Sequence, residues 1–123
     1  MRGNHDNRGL GDPDDPGFRR GFAQHFGEER VAELPGYLES YPGDDDVAHA
    51  WRFTLGDLPV LVIGLSWAPS QRQLAWAESL LREHPGMPAI VLSHRFFPGI
   101  PVDHTHPLPS WKRLVAKHPA QIF

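Results

Sequence analysis

The 123-residue chain contains no cysteine, which excludes disulfides and thiolate metal sites. No apolar run approaches the roughly 20 residues that a membrane-spanning helix requires. The opening Met1-Arg2-Gly3-Asn4 has none of the apolar character of an export signal. A formal net charge of -3 gives no electrostatic footprint for nucleic acid or an anionic membrane. None of these absences fixes the redox compartment.

Turn formers and histidine are plentiful. Thirteen prolines and 12 glycines imply that much of the length is loop, and a 40% apolar fraction is sufficient for one small core. A single domain over residues 1–123 is therefore expected. Eight histidines stand against two tyrosines, and histidine is the commonest metal ligand. Four of the eight, His25, His49, His84 and His118, read as structural or exposed and need no site to explain them. His84 and His118 precede prolines at expected helix C-termini, where a partly cationic imidazole suits the helix dipole.

Residues 7–16 are dense in turn formers and read as loop. Phe18, Phe22 and Phe26 recur at i, i+4 and i+8, the stripe of a short helix that Gly27 is placed to end. Residues 33–46 read as loop, and their Asp44-Asp45-Asp46 run lacks the glycine and glutamate spacing of a calcium loop. From Val47 the period becomes two. Val47, His49, Trp51, Phe53 and Leu55 alternate with Ala48, Ala50, Arg52 and Thr54, as in a strand with one buried face. Gly56-Asp57-Leu58-Pro59 turns the chain into the nearly continuous apolar run Val60–Leu65, giving a hairpin whose second strand is covered on both sides. Ser70 caps a helix to about His84 with Leu74, Ala77, Leu80 and Leu81 inward, and Pro85-Gly86 stops it. Ala89–Leu92 is a short buried strand. Ser110 caps a last helix with Trp111, Leu114 and Val115 inward, and Ala120–Phe123 begins another strand. Alternating strand and helix predict an α/β domain with parallel strands and covering helices.

Gly3-Asn4-His5-Asp6 sets an amide, an imidazole and a carboxylate on a glycine-hinged turn. Alone, such a tetrapeptide is an ordinary turn. His94 follows a buried strand directly, and in open α/β sheets ligands collect at the carboxyl ends of strands. Manganese, iron and zinc accept imidazole nitrogen and amide oxygen together, so Asn4 and His94 can share one ion. His5 is suited to protonating a departing alkoxide. Asp6 can hold the turn or orient a neighbouring cation without touching it. Arg8 can reach a substrate phosphate, with no more support than any exposed arginine.

The chain resembles the calcineurin-like metallophosphoesterases, whose blocks run Asp-x-His, Gly-Asp, Gly-Asn-His-Asp/Glu, His, then Gly-His-x-His. Gly3–Asp6 matches the third block, and Ile90-Val91-Leu92-Ser93-His94 the fourth. Leu74 to Leu81 is similar to the helix before the fourth block, and Trp111 to Pro119 to the helix before the fifth. The resemblance implies a β-sandwich flanked by helices and a two-metal hydrolase acting on phosphomonoesters or phosphodiesters. Two divalent ions (manganese, iron or zinc) are implied, with Asn4 and His94 on one of them. His5 would contact the phosphate and aid the leaving group while a bridging hydroxide attacks phosphorus in line.

No Asp-x-His or Gly-Asp block precedes Gly3, and no Gly-His-x-His follows Ala120. The expectation is an interior, incomplete metallophosphoesterase domain, inactive or nearly so by itself and poorly soluble through exposed sheet edges. Asp103-His104-Thr105-His106 imitates the fifth block but stands ten residues after His94, ahead of the helix that should lead into that block. It reads as a loop, and a mononuclear site of His94, His104 and His106 ranks below the two-metal reading. The alternative from another class is a non-catalytic domain that keeps this scaffold to bind a partner.

Overall fold

The computed structural model describes residues 24–42, 48–66, 69–94 and 111–122. A short helix, α1 (Glu28–Val31), leads into strand β1 (Tyr37–Ser40), followed by β2 (His49–Leu55), β3 (Leu58–Gly64), helix α2 (Gln71–Glu83) and β4 (Ala89–Leu92). A π-helical turn, Trp111–Val115, follows. The four strands form one mixed sheet in the order β1-β2-β3-β4. β1, β2 and β3 are antiparallel neighbours, and β4 joins β3 in parallel after the α2 crossover. The architecture is α/β, as the alternation of strand and helix predicts.

The β2–β3 hairpin closes through Gly56 and Asp57, with Leu55 paired to Leu58. Gly56 adopts φ +62°, a left-handed conformation that glycine reaches without steric cost. Leu58 and Pro59 belong to the strand rather than to the turn. Pro59 occupies the beginning of β3, where a missing N–H is tolerated.

Helix α2 has the termini its sequence predicts. Ser70 Oγ accepts a hydrogen bond from the Gln73 N–H at 3.1 Å, satisfying one of the first-turn amides that have no partner within the helix. His84 is the last capping residue, donating its N–H to the Leu80 carbonyl. Gly86 then turns the chain at φ +76°. Leu74, Ala77, Leu80 and Leu81 are closed off from solvent and pack with Ala48, Ala50, Leu61, Ile63, Leu65 and Ala89 of the sheet side. Trp76 is also buried, and its indole N–H donates to Glu39 Oε1 at 2.6 Å, tying the helix to β1.

Burial along β2 does not alternate as its period of two predicts: His49 and Ala50 are both buried, Trp51 is half-buried, and the four residues from Arg52 to Leu55 are exposed. The face pressed against the helix is that of Ala48 and Ala50. The bulkier set lies on the reverse face, where Trp51 stacks on Phe53 at 6.2 Å and Tyr37 meets Trp51 edge-on at 5.5 Å. The reason is steric: small side chains let a helix approach the sheet closely, whereas a row of aromatic rings requires a deeper layer. For β4 the expectation of a buried strand is corrected. Ala89 is buried, but Ile90 and Leu92, on the face away from α2, are 37% and 44% exposed.

Two elements fall where loop or nothing regular was expected. β1 lies inside the 33–46 stretch, its pairing to β2 interrupted by a bulge between Tyr37 and Glu39. Gly27 does end a helical turn at residues 24–26, yet it also begins α1. Phe26 is 57% exposed, so it does not supply the inward stripe expected of it; Phe18 and Phe22 lie outside the described residues.

Behind α2, the expected last helix is the brief π-helical turn, and its Leu114 is fully buried. Arg113 Nε donates to Glu78 Oε2 at 3.1 Å, and this hydrogen bond holds the Glu78 carboxyl below its ordinary range. The strand foreseen at Ala120 is present as one parallel bridge, Ile122 to Ala89. Gln121 secures it, its amide donating to the carbonyls of Leu81 and His84.

Candidate functional site

The carboxyl ends of β3 and β4 lie together. Gly64 pairs with Leu92, and the Leu65 N–H donates to the Leu92 carbonyl at 2.9 Å. Parallel register therefore brings Ser66 and His94, each two residues past its strand, to the same end of the sheet. His94 is exposed there. This is the position that places ligands in open α/β sheets.

Gln73 governs the exit of β3. It is 3% exposed, and its Oε1 accepts both the Ser66 N–H at 3.0 Å and the Ser66 hydroxyl at 2.8 Å. A buried amide with satisfied partners is a rigid fixture, so the first turn of α2 anchors the chain as it leaves the sheet. Gln73 is not among the residues whose pattern in the sequence marks a site. The available signal was an uncharged polar side chain beside Leu74 in the apolar stripe, three residues after the Ser70 cap.

Asn4, His5, Asp6 and Arg8 lie outside the described residues, as do His104 and His106. The convergence of Asn4 with His94 therefore rests on the motif order. Among the described residues no three of His, Asp or Glu gather as a metal-binding group. A single exposed imidazole fits one ion as a contributing ligand and requires others beside it.

The remaining described histidines are structural or exposed, as expected. His25 is exposed. His49 is 5% exposed and hydrogen-bonded through both ring nitrogens. His84 caps α2. His118 donates its backbone N–H to the Leu114 carbonyl at 3.0 Å, and its Nε2 is buried without a hydrogen-bond partner. Among the described residues no helix is long and apolar enough to cross a membrane.

No family model, no curated protein and no solved structure matches the chain.

Proposed function

We propose that the chain carries part of the centre of a metal-dependent phosphoester hydrolase built on a metallophosphoesterase-type sandwich. Asn4 and His94 hold one divalent cation, manganese, iron or zinc. His5 donates a proton to the leaving oxygen, and Asp6 fixes the orientation of the Gly3–Asp6 turn. A pair of such ions supplies charge neutralisation at the phosphoryl oxygens and a water acidic enough to attack at neutral pH. The ligands of the second ion are not identified among the 123 residues.

One observation carries this reading: His94 stands exposed at the carboxyl end of parallel β4, beside the end of β3, where an ion can be reached from solvent. Manganese titration of the chain followed by electron paramagnetic resonance tests it. One weakly held ion is expected, lost in both Asn4→Ala and His94→Ala, with little or no hydrolysis of a nitrophenyl phosphate ester by the chain alone. Manganese uptake unchanged in both variants would refute the assignment, and rapid turnover by the chain would refute the half-site.

A further inference from the structure

At the outer edge of the sheet a line of hydrogen bonds runs from α1 through β1 to β2. Tyr37 Oη lies 2.9 Å from Glu28 Oε1 and 2.8 Å from Ser40 Oγ. Ser40 Oγ is 2.8 Å from His49 Nδ1, and His49 Nε2 is 3.1 Å from the Phe26 carbonyl oxygen. The line begins and ends on the segment 26–28, so it fastens that segment to β1 and β2.

Counting protons along the line gives a result that the distances alone do not. The Phe26 carbonyl only accepts, and so does an ionised Glu28. Four hydrogen bonds lie between them. A tyrosine, a serine and a neutral histidine bring three protons. All four bonds form together only when a fourth proton is present, and the imidazolium of His49 supplies it: Nδ1–H donates to Ser40, Ser40 O–H to Tyr37, Tyr37 O–H to Glu28, and Nε2–H to Phe26. With a neutral ring one bond must be given up. With Nε2–H retained, Tyr37 turns from Glu28 to Ser40 or the Tyr37 and Ser40 oxygens face each other at 2.8 Å with no proton between them; with Nδ1–H retained, Nε2 and the Phe26 carbonyl face each other at 3.1 Å in the same way.

We propose that Glu28, Tyr37, Ser40 and His49 form a proton-linked clasp, complete when His49 is cationic and one bond short when it is neutral. The clasp makes attachment of the α1 segment to the sheet depend on pH. Burial of His49 works against its charge, and hydrogen bonding of both N–H groups to acceptors works for it.

Several titratable or charged groups surround the clasp among the described residues. Glu28 faces it from α1, Tyr37 and Glu39 lie on β1, and His25 adjoins Phe26. Arg52 of β2 points to the other face, and β3 sets Gly64 opposite His49. Desolvation by burial raises the Tyr37 hydroxyl above its ordinary value, so it remains a donor throughout the histidine range. The sign follows. A histidine that gains acceptors on folding binds its proton more tightly than the ordinary value of about 6.5. Its stabilisation is fully present below that value and is lost as pH rises through the higher folded value.

Nitrogen-edited NMR of the imidazoles across roughly pH 5 to 9, which brackets the ordinary histidine value of about 6.5, reads the clasp directly in the full chain. His49 is expected to be cationic at the acid end and to titrate above the ordinary value. Exchange of the Arg30 and Val31 amides, both bonded to the Gly27 carbonyl, should accelerate as it deprotonates. Two variants separate the hydrogen-bond count from simple charge attraction. Glu28→Gln supplies the missing donor from its own amide, and Tyr37→Phe shortens the line to two bonds served by two protons while leaving the Glu28 charge in place. Each should lower the proton affinity of His49 about tenfold, a change of one pKa unit. Glu28 is at the exposed end, so its variant leaves the core intact. A neutral His49 at the acid end, or an unchanged titration in Tyr37→Phe, would overturn the proposal.

Discussion

On the helix side the sheet presents Ala48, Ala50, Leu61 and Ile63, all closed off from solvent. One residue along in the same strands, Phe53, Leu55 and Leu58 stand 43%, 62% and 51% exposed. The two faces have similar apolar content, and the reverse one opens to solvent toward the hairpin tip while Val60 and His49 on it stay 4% and 5% exposed. Apolarity alone therefore does not locate the core. What distinguishes the covered face is small residues in β2 opposite a helix whose stripe repeats every three to four positions, so that side chains from both layers interlock. The reverse face holds aromatic rings that contact one another along the sheet, with a hydrogen-bonded line at its outer edge.

The covered face should be where truncation costs most. Leu61 is fully buried at the centre of the core cluster. Leu61→Ala removes its transfer free energy and leaves a cavity, for a loss of about 2–5 kcal/mol. Urea denaturation monitored by circular dichroism measures it. A loss no larger than that of an exposed leucine would erase the distinction between the faces.

Much of that covered layer can be read from residues alone. Helix α2 is delimited by Ser70 and Pro85-Gly86, and the β2–β3 hairpin by Gly56-Asp57, because capping and turn chemistry are local. Leu74, Ala77, Leu80 and Leu81 announce their direction through spacing. β1 is different. The five residues between Pro35-Gly36 and Pro42-Gly43 are too few for a period, and four of them become a strand only through the ladder that β2 offers. The choice of inward face in β2 is likewise a tertiary decision, made by the proximity of α2 and invisible in an alternation that reads equally well either way. Of the candidate site, the placement of His94 at a strand end was legible because strand termini are local too. The proposed meeting with Asn4 would depend on a long-range approach that no periodicity encodes, and Gln73 was missed because a buried amide resembles an exposed one until its partner is known.

An intermediate effect is expected where the chain enters β1. Gly36 has φ +85°, and a Cβ there would stand 2.5 Å from the Arg52 carbonyl oxygen and 3.3 Å from the Phe53 ring. The Gly36 carbonyl also accepts the Arg52 N–H at 2.6 Å, so the two backbones are held at close range. Gly36→Ala forces either a strained left-handed alanine or separation of the strands. The cost should be about 1–3 kcal/mol, with faster amide exchange at Arg52. An unchanged denaturation midpoint would show that β1 contributes little to the sheet.

The smallest effect belongs to the hairpin tip on the open face. Leu55 pairs with Leu58 beside the Gly56-Asp57 turn, and both are more than half exposed. Substituting an exposed side chain that supports no core contact changes stability by no more than about 0.5 kcal/mol in either direction. Leu55→Ser should therefore leave the urea midpoint in place while reducing the apolar area presented to solvent, and light scattering at rising concentration should register less self-association. The pair of measurements sharpens the contrast between the faces. A midpoint shift comparable to that of Leu61→Ala would mean that Leu55 is covered in solution and that the open face is not open there.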